Sequence, residues 1–478
     1  MKVDVLVVGS GAGGATTAAV LAAAGVQVLL LEEGPRVEPG SLTPFSLDQM
    51  RGQYRSLGQL VALGAPPIAY AEGRCVGGST EINSGLYHRP YGALIDRWVS
   101  EWDIQDLSVD SLAPICEAIE HNLDVSYYPQ GLPAASQLLQ DGADRLNWEA
   151  KEIPRWFSFD SPFGGTRQSM ARTYLEYAQR HGAVIQPDSW VERLVLSNGR
   201  ATGAEVVHTD GRTEVIDFDT VFVCGGAVQS AALLLRSGIK RNVGKTLSMH
   251  PTVKAVAHTR EPVNDPTDVP VVQVREFSPH MSMGGSATNL SLLGLALLRT
   301  NYGLANLADL LPNMPVYYAA IQSQGRGRVT VLPKMRDPLV TYRMTGQDIR
   351  RLKLAMGRLL DLLLATDSVE VIPSALNADA ITSPEQIPEQ VAKVTRRTAD
   401  VMTVHVCSSV PMGEDRAKCA VDSYGRVFSA PNIIVNDASI LNEAPGINPQ
   451  GTVMALATRN AERFLTDHGQ TPAARELR

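Results

Sequence analysis

The chain has 478 residues, is 44% apolar and 19% charged, and carries a net charge of −7. That length supports two or more cores, and the acidic balance excludes the basic field that a nucleic-acid binder needs. The five cysteines, Cys75, Cys116, Cys224, Cys407 and Cys419, are scattered and form no C-x-x-C pair. They read as reduced thiols in a cytoplasmic protein, not as a disulfide frame or a zinc site.

A strand is expected first, over 3–8, apolar and β-branched as a buried parallel strand is. It runs straight into Gly9-Ser10-Gly11-Ala12-Gly13-Gly14, so the N-terminus does not read as a signal peptide. A helix follows over 15–24, stopped by Gly25. A second strand over 26–31 ends in Glu32-Glu33-Gly34. Strand, G-x-G-x-x-G, helix and an acid after the next strand make a dinucleotide-binding unit. Gly9 permits the tight turn, Gly11 lets the backbone approach a pyrophosphate, and Gly14 lets the helix pack on the strand. The helix N-terminus offers free N–H groups to the phosphates. Glu32 is placed to take ribose hydroxyls. The unit alone does not choose between FAD and NAD.

A glycine-rich loop lies at 73–83. Runs 191–196 and 203–208 alternate loosely, as paired strands do, within a meander over 184–210. A buried strand over 219–224 enters Gly225-Gly226, and a helix over 227–237 follows. Strand-like runs come near 252–257, 269–277, 316–322 and 328–332. A helix over 346–365 carries leucines at 352, 354, 359, 360, 362, 363 and 364. The last helix is expected over 453–464. No run reaches the ~18–20 apolar residues of a membrane span; 290–298 and 359–365 read as core. No H-E-x-x-H or clustered Asp/His pattern points to a metal.

Four separated motifs resemble the glucose–methanol–choline (GMC) family of FAD oxidoreductases. They are the N-terminal unit; Gly73-Arg74-Cys75-Val76-Gly77-Gly78-Ser79-Thr80-Glu81-Ile82-Asn83; Val223-Cys224-Gly225-Gly226-Ala227 with its helix; and a C-terminal pair, His405 and Asn448. The resemblance implies FAD, held by Gly9, Gly11, Ala12, Gly14, Glu32, Arg74, Gly77, Gly78, Ser79, Asn83, the Val191 backbone, Gly225, Asp437, Ala438 and Pro449. Some relatives tether flavin through a histidine just before the loop asparagine. Ile82 stands there, so non-covalent FAD is expected. His88, five residues past Asn83, is not expected to substitute.

The resemblance also implies the chemistry. An alcohol loses a hydride only as its hydroxyl proton is removed, and an imidazole with a pKa near working pH suits that task. His405 occupies the family's base position, although Ser408-Ser409 stands where G-T is common. Asn448 can hold the substrate oxygen but does not titrate, so a single base is expected. The other histidines read as structural or solvated by default. Among them His250, in a Met-His-Pro stretch similar to a family segment, is read as structural.

The expected architecture is α/β, α+β overall: a Rossmann-like FAD-binding domain with a parallel sheet, and a substrate domain with an antiparallel sheet backed by helices. The first is discontinuous, 1–100, 150–255 and 400–478; the second takes 101–149 and 256–399. The expected activity is oxidation of an alcohol, with oxygen or another electron acceptor. The leucine-rich stretches 290–298 and 304–318 read first as core; as pocket walls they favour a bulky or apolar alcohol over a free sugar. A non-redox lyase or decarboxylase on the same fold is the alternative. The C-terminal motifs argue against a third reading, an NAD-dependent dehydrogenase.

Overall fold

The structure is a computed structural model that describes residues 2–159, 165–265, 268 and 270–477. Its first sheet is built on strand Lys2–Val8, which pairs in parallel with Val28–Leu31 on one side and Thr213–Val223 on the other. Val184–Gln186 extends it in parallel beyond Val28–Leu31. Strand Thr213–Val223 shares its far edge between two partners. Its first half pairs antiparallel with Arg200–His208, and its last three residues pair in parallel with Ala430–Val435. Strand Ser189–Ser197 completes the meander. Helix Ala12–Ala23 packs on the parallel strands Lys2–Val8, Val28–Leu31 and Thr213–Val223, and the meander strand Ser189–Ser197 also contacts Val28–Leu31.

Helix Ala12–Ala23 begins three residues before the expected start. The reason is packing. A Cβ on Gly13 would lie 2.0 Å from the Asn436 carbonyl, and one on Gly14 would lie 1.9 Å from the Gly9 carbonyl. These glycines look like loop in the sequence but form the helix turn that touches other backbone.

The second sheet has nine strands and is almost wholly antiparallel, centred on Thr252–Thr259, with Val316–Ile321, Met281–Gly285 and Val272–Val274 in succession. Strand Val272–Val274 lies within the run expected over 269–277; Val269 is outside the described residues. Helix Gly346–Leu364 backs the sheet through Leu352, Leu359, Leu360, Leu362 and Leu363, whereas Leu354 faces out. Three expectations need correction. Strands Leu60–Ala62, Ile68–Tyr70 and Val401–Thr403, expected on the nucleotide side, join this second sheet, as does Ala150–Glu152. Each has only three residues, too few to carry a pattern of its own, and tertiary pairing decides its place. The run at 328–332 is not in the sheet but in a separate hairpin, Arg326–Thr330 with Leu339–Arg343. Helix Leu290–Leu297 turns Leu293 and Leu297 into a small second core, while Leu290, Leu295 and Leu298 are exposed. No described helix is long and apolar enough to cross a membrane.

Candidate active site

The four motifs meet at the carboxyl ends of the parallel strands, where open α/β sheets place their ligands. Gly9, at φ +99°, packs its α-carbon where a Cβ would be 2.4 Å from the Cys224 carbonyl. The Gly77 amide donates to Ser10 Oγ at 3.0 Å, and Ser10 Oγ donates to Glu32 Oε2 at 2.6 Å. Glu32 also accepts from the Ser10 and Gly34 amides at 3.0 and 2.9 Å. Its burial raises the carboxyl pKa. Val191 is buried two residues from Ser189, whose amide donates to the Glu32 carbonyl. Asn83 Nδ2 donates to Gln450 Oε1 at 2.9 Å, which joins the second motif to the start of helix Gln450–Asp467, capped by Pro449. Asp437 Oδ2 accepts from the Gly226 amide at 2.7 Å and from Ser230, and Oδ1 accepts from Ser439. The Ala438 carbonyl accepts from the Ser408 amide at 3.1 Å.

Two expected residues have protein partners of their own. Arg74 is committed to Glu33, at 3.3 Å, beside Arg55 and Arg336. Burial would raise the Glu33 carboxyl, but these three cations hold it down at about 2. The network leaves no local pattern, because Arg55, Arg74 and Arg336 reach Glu33 from separate segments. Ser79 Oγ accepts from the Gly73 amide at 2.9 Å, bracing its own loop. Gly225 is in ordinary contact, whereas Gly226, at φ +84°, is the glycine the backbone requires.

The residues fit a dinucleotide. A Cβ on Gly11 or Gly226 would meet nothing within 4 Å, so the loops leave open space where Gly9, Gly13 and Gly14 are closed by protein. The first amides of helix Ala12–Ala23 have no intrahelical acceptor. The buried hydroxyls of Thr452, in the first turn of the terminal helix, and of Ser408 have no hydrogen-bond partner.

The chemical groups lie beside this cradle. His405 sits between Val401–Thr403 and Val406–Cys407, its amide held by Thr403 Oγ1 at 3.2 Å. Strand Ser248–Met249 pairs with Val406–Cys407 and so brings the next residue, His250, against it. The two Nδ1 atoms are 2.9 Å apart and the rings stand at 86°. The Gly446 amide donates to His250 Nε2 at 2.7 Å. The Asn448 amide lies 3.4 Å from His405 Nε2 and is held by Gln273 at 3.3 Å. Gln273 also donates to Tyr318 Oη at 2.9 Å and meets His88 Nε2 at 3.1 Å. His405 and Asn448 are therefore brought together as expected.

Several participants were not anticipated. His250, read as structural, touches His405 directly. Gln273 is a buried polar residue in the apolar run Val271-Val272-Gln273-Val274, which is the signal that could have found it. Burial lowers His88 and His250 to about 4. Burial, then His250 and His88, pushes His405 well below the usual imidazole range. All three rings are neutral at neutral pH. Among the described residues no group of His, Cys, Asp or Glu is arranged to hold a metal.

A sequence model described as GMC oxidoreductase matches residues 3–252, and its C-terminal counterpart matches 323–457. A GMC-type oxidoreductase of Sinorhizobium fredii is 36% identical over 98% of this chain and 95% of its own. A long-chain-alcohol oxidase of Arabidopsis thaliana is 25% identical over 98% of this chain and 69% of its own. Pyridoxine 4-oxidase from Mesorbium loti has the same fold, with a TM-score of 0.75 at 20% identity, covering 97% of this chain and 99% of that one. A formate oxidase variant from Aspergillus oryzae gives 0.77 at 16%, covering 98% and 99%.

Proposed function

Because this chain belongs to the GMC family of FAD-dependent oxidoreductases, we propose that it oxidises an alcohol to an aldehyde or ketone. The observation that carries the reading is the His405–Asn448 pair at the mouth of the nucleotide cradle. Bound FAD supplies the acceptor for the hydride. His405 takes the hydroxyl proton at Nε2, and Asn448 holds the same oxygen by hydrogen bonding. Glu32 would hold ribose hydroxyls, Gly11 and Ala12 would bring backbone and helix N–H groups to the diphosphate, and Gly77 and Gly78 would let their loop lie against the flavin ring and its ribityl chain. The N-terminus of helix Gln450–Asp467 favours negative charge on the group it faces. Arg74 acts through Glu33, by fixing the loop.

Ile82 supports non-covalent FAD, since it cannot form the tether. The similarity to a long-chain-alcohol oxidase supports a bulky or apolar substrate. The acceptor is oxygen or another oxidant. The five buried, free cysteines support a reducing, cytoplasmic setting. The nucleotide unit is 1–100, 150–255 and 400–478, less residues 252–255 and the short strands that join the second sheet; the substrate unit is 101–149 and 256–399.

The test is colour. The purified protein should be yellow, its colour should pass a filter after denaturation, and an apolar alcohol should bleach it without oxygen. A yellow protein that no alcohol in a broad panel bleaches favours the lyase class, and colour retained on the polypeptide overturns the non-covalent assignment.

A further inference from the structure

The strand that carries Gln273 leads to a cation. Residues two apart on a strand share a face and lie roughly 6.5–7 Å apart. Arg275 therefore follows Gln273 on the side that meets His88, Tyr318 and Asn448. The Arg275 amide donates to the Glu149 carbonyl at 2.7 Å, which continues the ladder with Ala150–Glu152 past the end of the strand. The turn that follows closes back on the cluster. The Ser278 amide donates to the Arg275 carbonyl at 2.9 Å. A Cβ on Gly446 would lie 2.8 Å from the Pro279 carbonyl, so this turn packs on the loop that carries Asn448. Burial comes first in setting the pKa values of His88, Tyr91 and Tyr318, and the Arg275 charge acts on all three.

Its donors are not all taken. Nη2 donates to Ser278 Oγ at 3.0 Å, whereas Nη1 is buried and has no hydrogen-bond partner. Among the described residues Arg275 forms no ion pair. Glu149, across the ladder, and Glu276, next in the chain, are exposed and make none with it. Glu443, whose charge Tyr91 feels, accepts from Arg97 and Trp98. The rest of the cluster is uncharged. His88, His250 and His405 are neutral through burial, and burial raises the Tyr91 and Tyr318 phenols. A guanidinium stays charged at any working pH, and a buried N–H left unpaired is costly. The field and the free donor both favour an anion.

We propose that Arg275 binds a carboxylate of the substrate, which makes the substrate a hydroxy acid, its CH–OH at His405 and Asn448 and its carboxylate at Nη1. The inference rests on the reading of His405 and Asn448 as the reacting end. One carboxylate oxygen takes the one free donor; a phosphate would bury further charged oxygens with it. Lys151, directly opposite Gln273 in the ladder, is exposed and adds a second positive charge at the solvent end of this face. The apolar body proposed for the substrate then lies between two polar ends. Arg275 orients the substrate and moves no proton.

The test uses oxidised holoenzyme without oxygen and a panel of hydroxy acids, terminal hydroxyalkanoates from short to long and para-(hydroxymethyl)benzoate, each beside its methyl ester. The best acid should half-saturate flavin reduction at a concentration about ten- to a hundredfold below that of its ester, the value of a hydrogen bond to a charged group. Arg275→Gln should erase that ratio by raising the acid's half-saturating concentration, with a smaller change in its limiting rate. Arg275→Lys, which keeps the charge, should restore part of it. Esters that match their acids across the panel in wild type, or an Arg275→Gln variant that keeps the acid preference, overturn the proposal. Hydroxyl-free carboxylates of the same lengths give a second readout in titration calorimetry. They should bind wild type and His405→Ala alike, and Arg275→Gln about ten- to a hundredfold more weakly; equal binding to all three overturns the site. If no alcohol bleaches the flavin while this binding difference holds, the oxidation reading fails and the carboxylate site stands.

Discussion

The nucleotide cradle and the histidine cluster lie side by side but are made of different material. The cradle is backbone: glycines pressed against carbonyls, amides turned inward, and two buried acids, Glu32 and Asp437, tying four loops together. The cluster is side chain: His88, His250, Gln273, Tyr318, His405 and Asn448 come from separate segments and touch only at their tips. A backbone site fails when volume is added. A side-chain site fails when a polar atom is removed. Substitutions of the two kinds should therefore separate flavin binding from chemistry.

The largest effect on cofactor binding is expected from Gly14→Ala. Its Cβ would lie 1.9 Å from the Gly9 carbonyl, and backbone must move. Overpacking there costs about 3 kcal/mol or more, roughly a hundredfold in FAD affinity, read by flavin titration. Gly226→Ala meets no protein atom within 4 Å, so the fold without flavin pays only for its positive φ, about 1–2 kcal/mol, and should lose less in thermal unfolding than Gly14→Ala. Equal losses in the two variants would break the view that the cradle is closed at one glycine and open at the other.

Asn448→Ala should keep its yellow colour yet slow anaerobic flavin reduction by about tenfold to a few hundredfold, or ~1–3 kcal/mol. Loss of flavin instead of rate would move Asn448 into the cradle. Glu32→Ala should do the reverse: FAD binding weakened by about tenfold for the lost hydrogen bonds, with normal reduction in molecules that keep it. Full occupancy and unchanged affinity would contradict its role.

The smallest effect is on stability. Folded His88 and His250 titrate at about 4, below the ordinary ~6.5 of an unfolded histidine. The unfolded chain binds more protons between those values. Stability is full above about pH 6.5 and falls as pH drops toward 4. His250→Gln should flatten that fall in thermal unfolding midpoints; an unchanged slope would mean that His250 is not held neutral.

The contrast also explains what the sequence made visible. The cradle was legible because each glycine that the backbone needs sits beside its strand or helix, as at Gly9, Gly11 and Gly14. Even there, Gly13 and Gly14 concealed the first turn of their helix, since their reason is the distant Asn436 carbonyl and the Gly9 backbone. His405 and Asn448 were found through family resemblance. His250 was not, because its partner is 155 positions away and only the pairing of Ser248–Met249 with Val406–Cys407 joins them. Arg74 was legible as a conspicuous loop residue but not as a partner of Glu33, whose other cations come from Arg55 and Arg336. The base was expected to titrate near working pH. Burial and two neighbouring imidazoles, invisible in one dimension, place it well below.

The central claim is that His405 takes the hydroxyl proton, and rapid mixing of oxidised enzyme with alcohol in the absence of oxygen isolates that step. Wild-type flavin reduction should rise with pH through one ionisation lying well below 6.5 and be level at neutral pH. His405→Ala should be slower by roughly 10²–10⁴, the contribution of a positioned general base, and should lose the ionisation. A variant that bleaches as fast as wild type with the same pH profile would contradict the account.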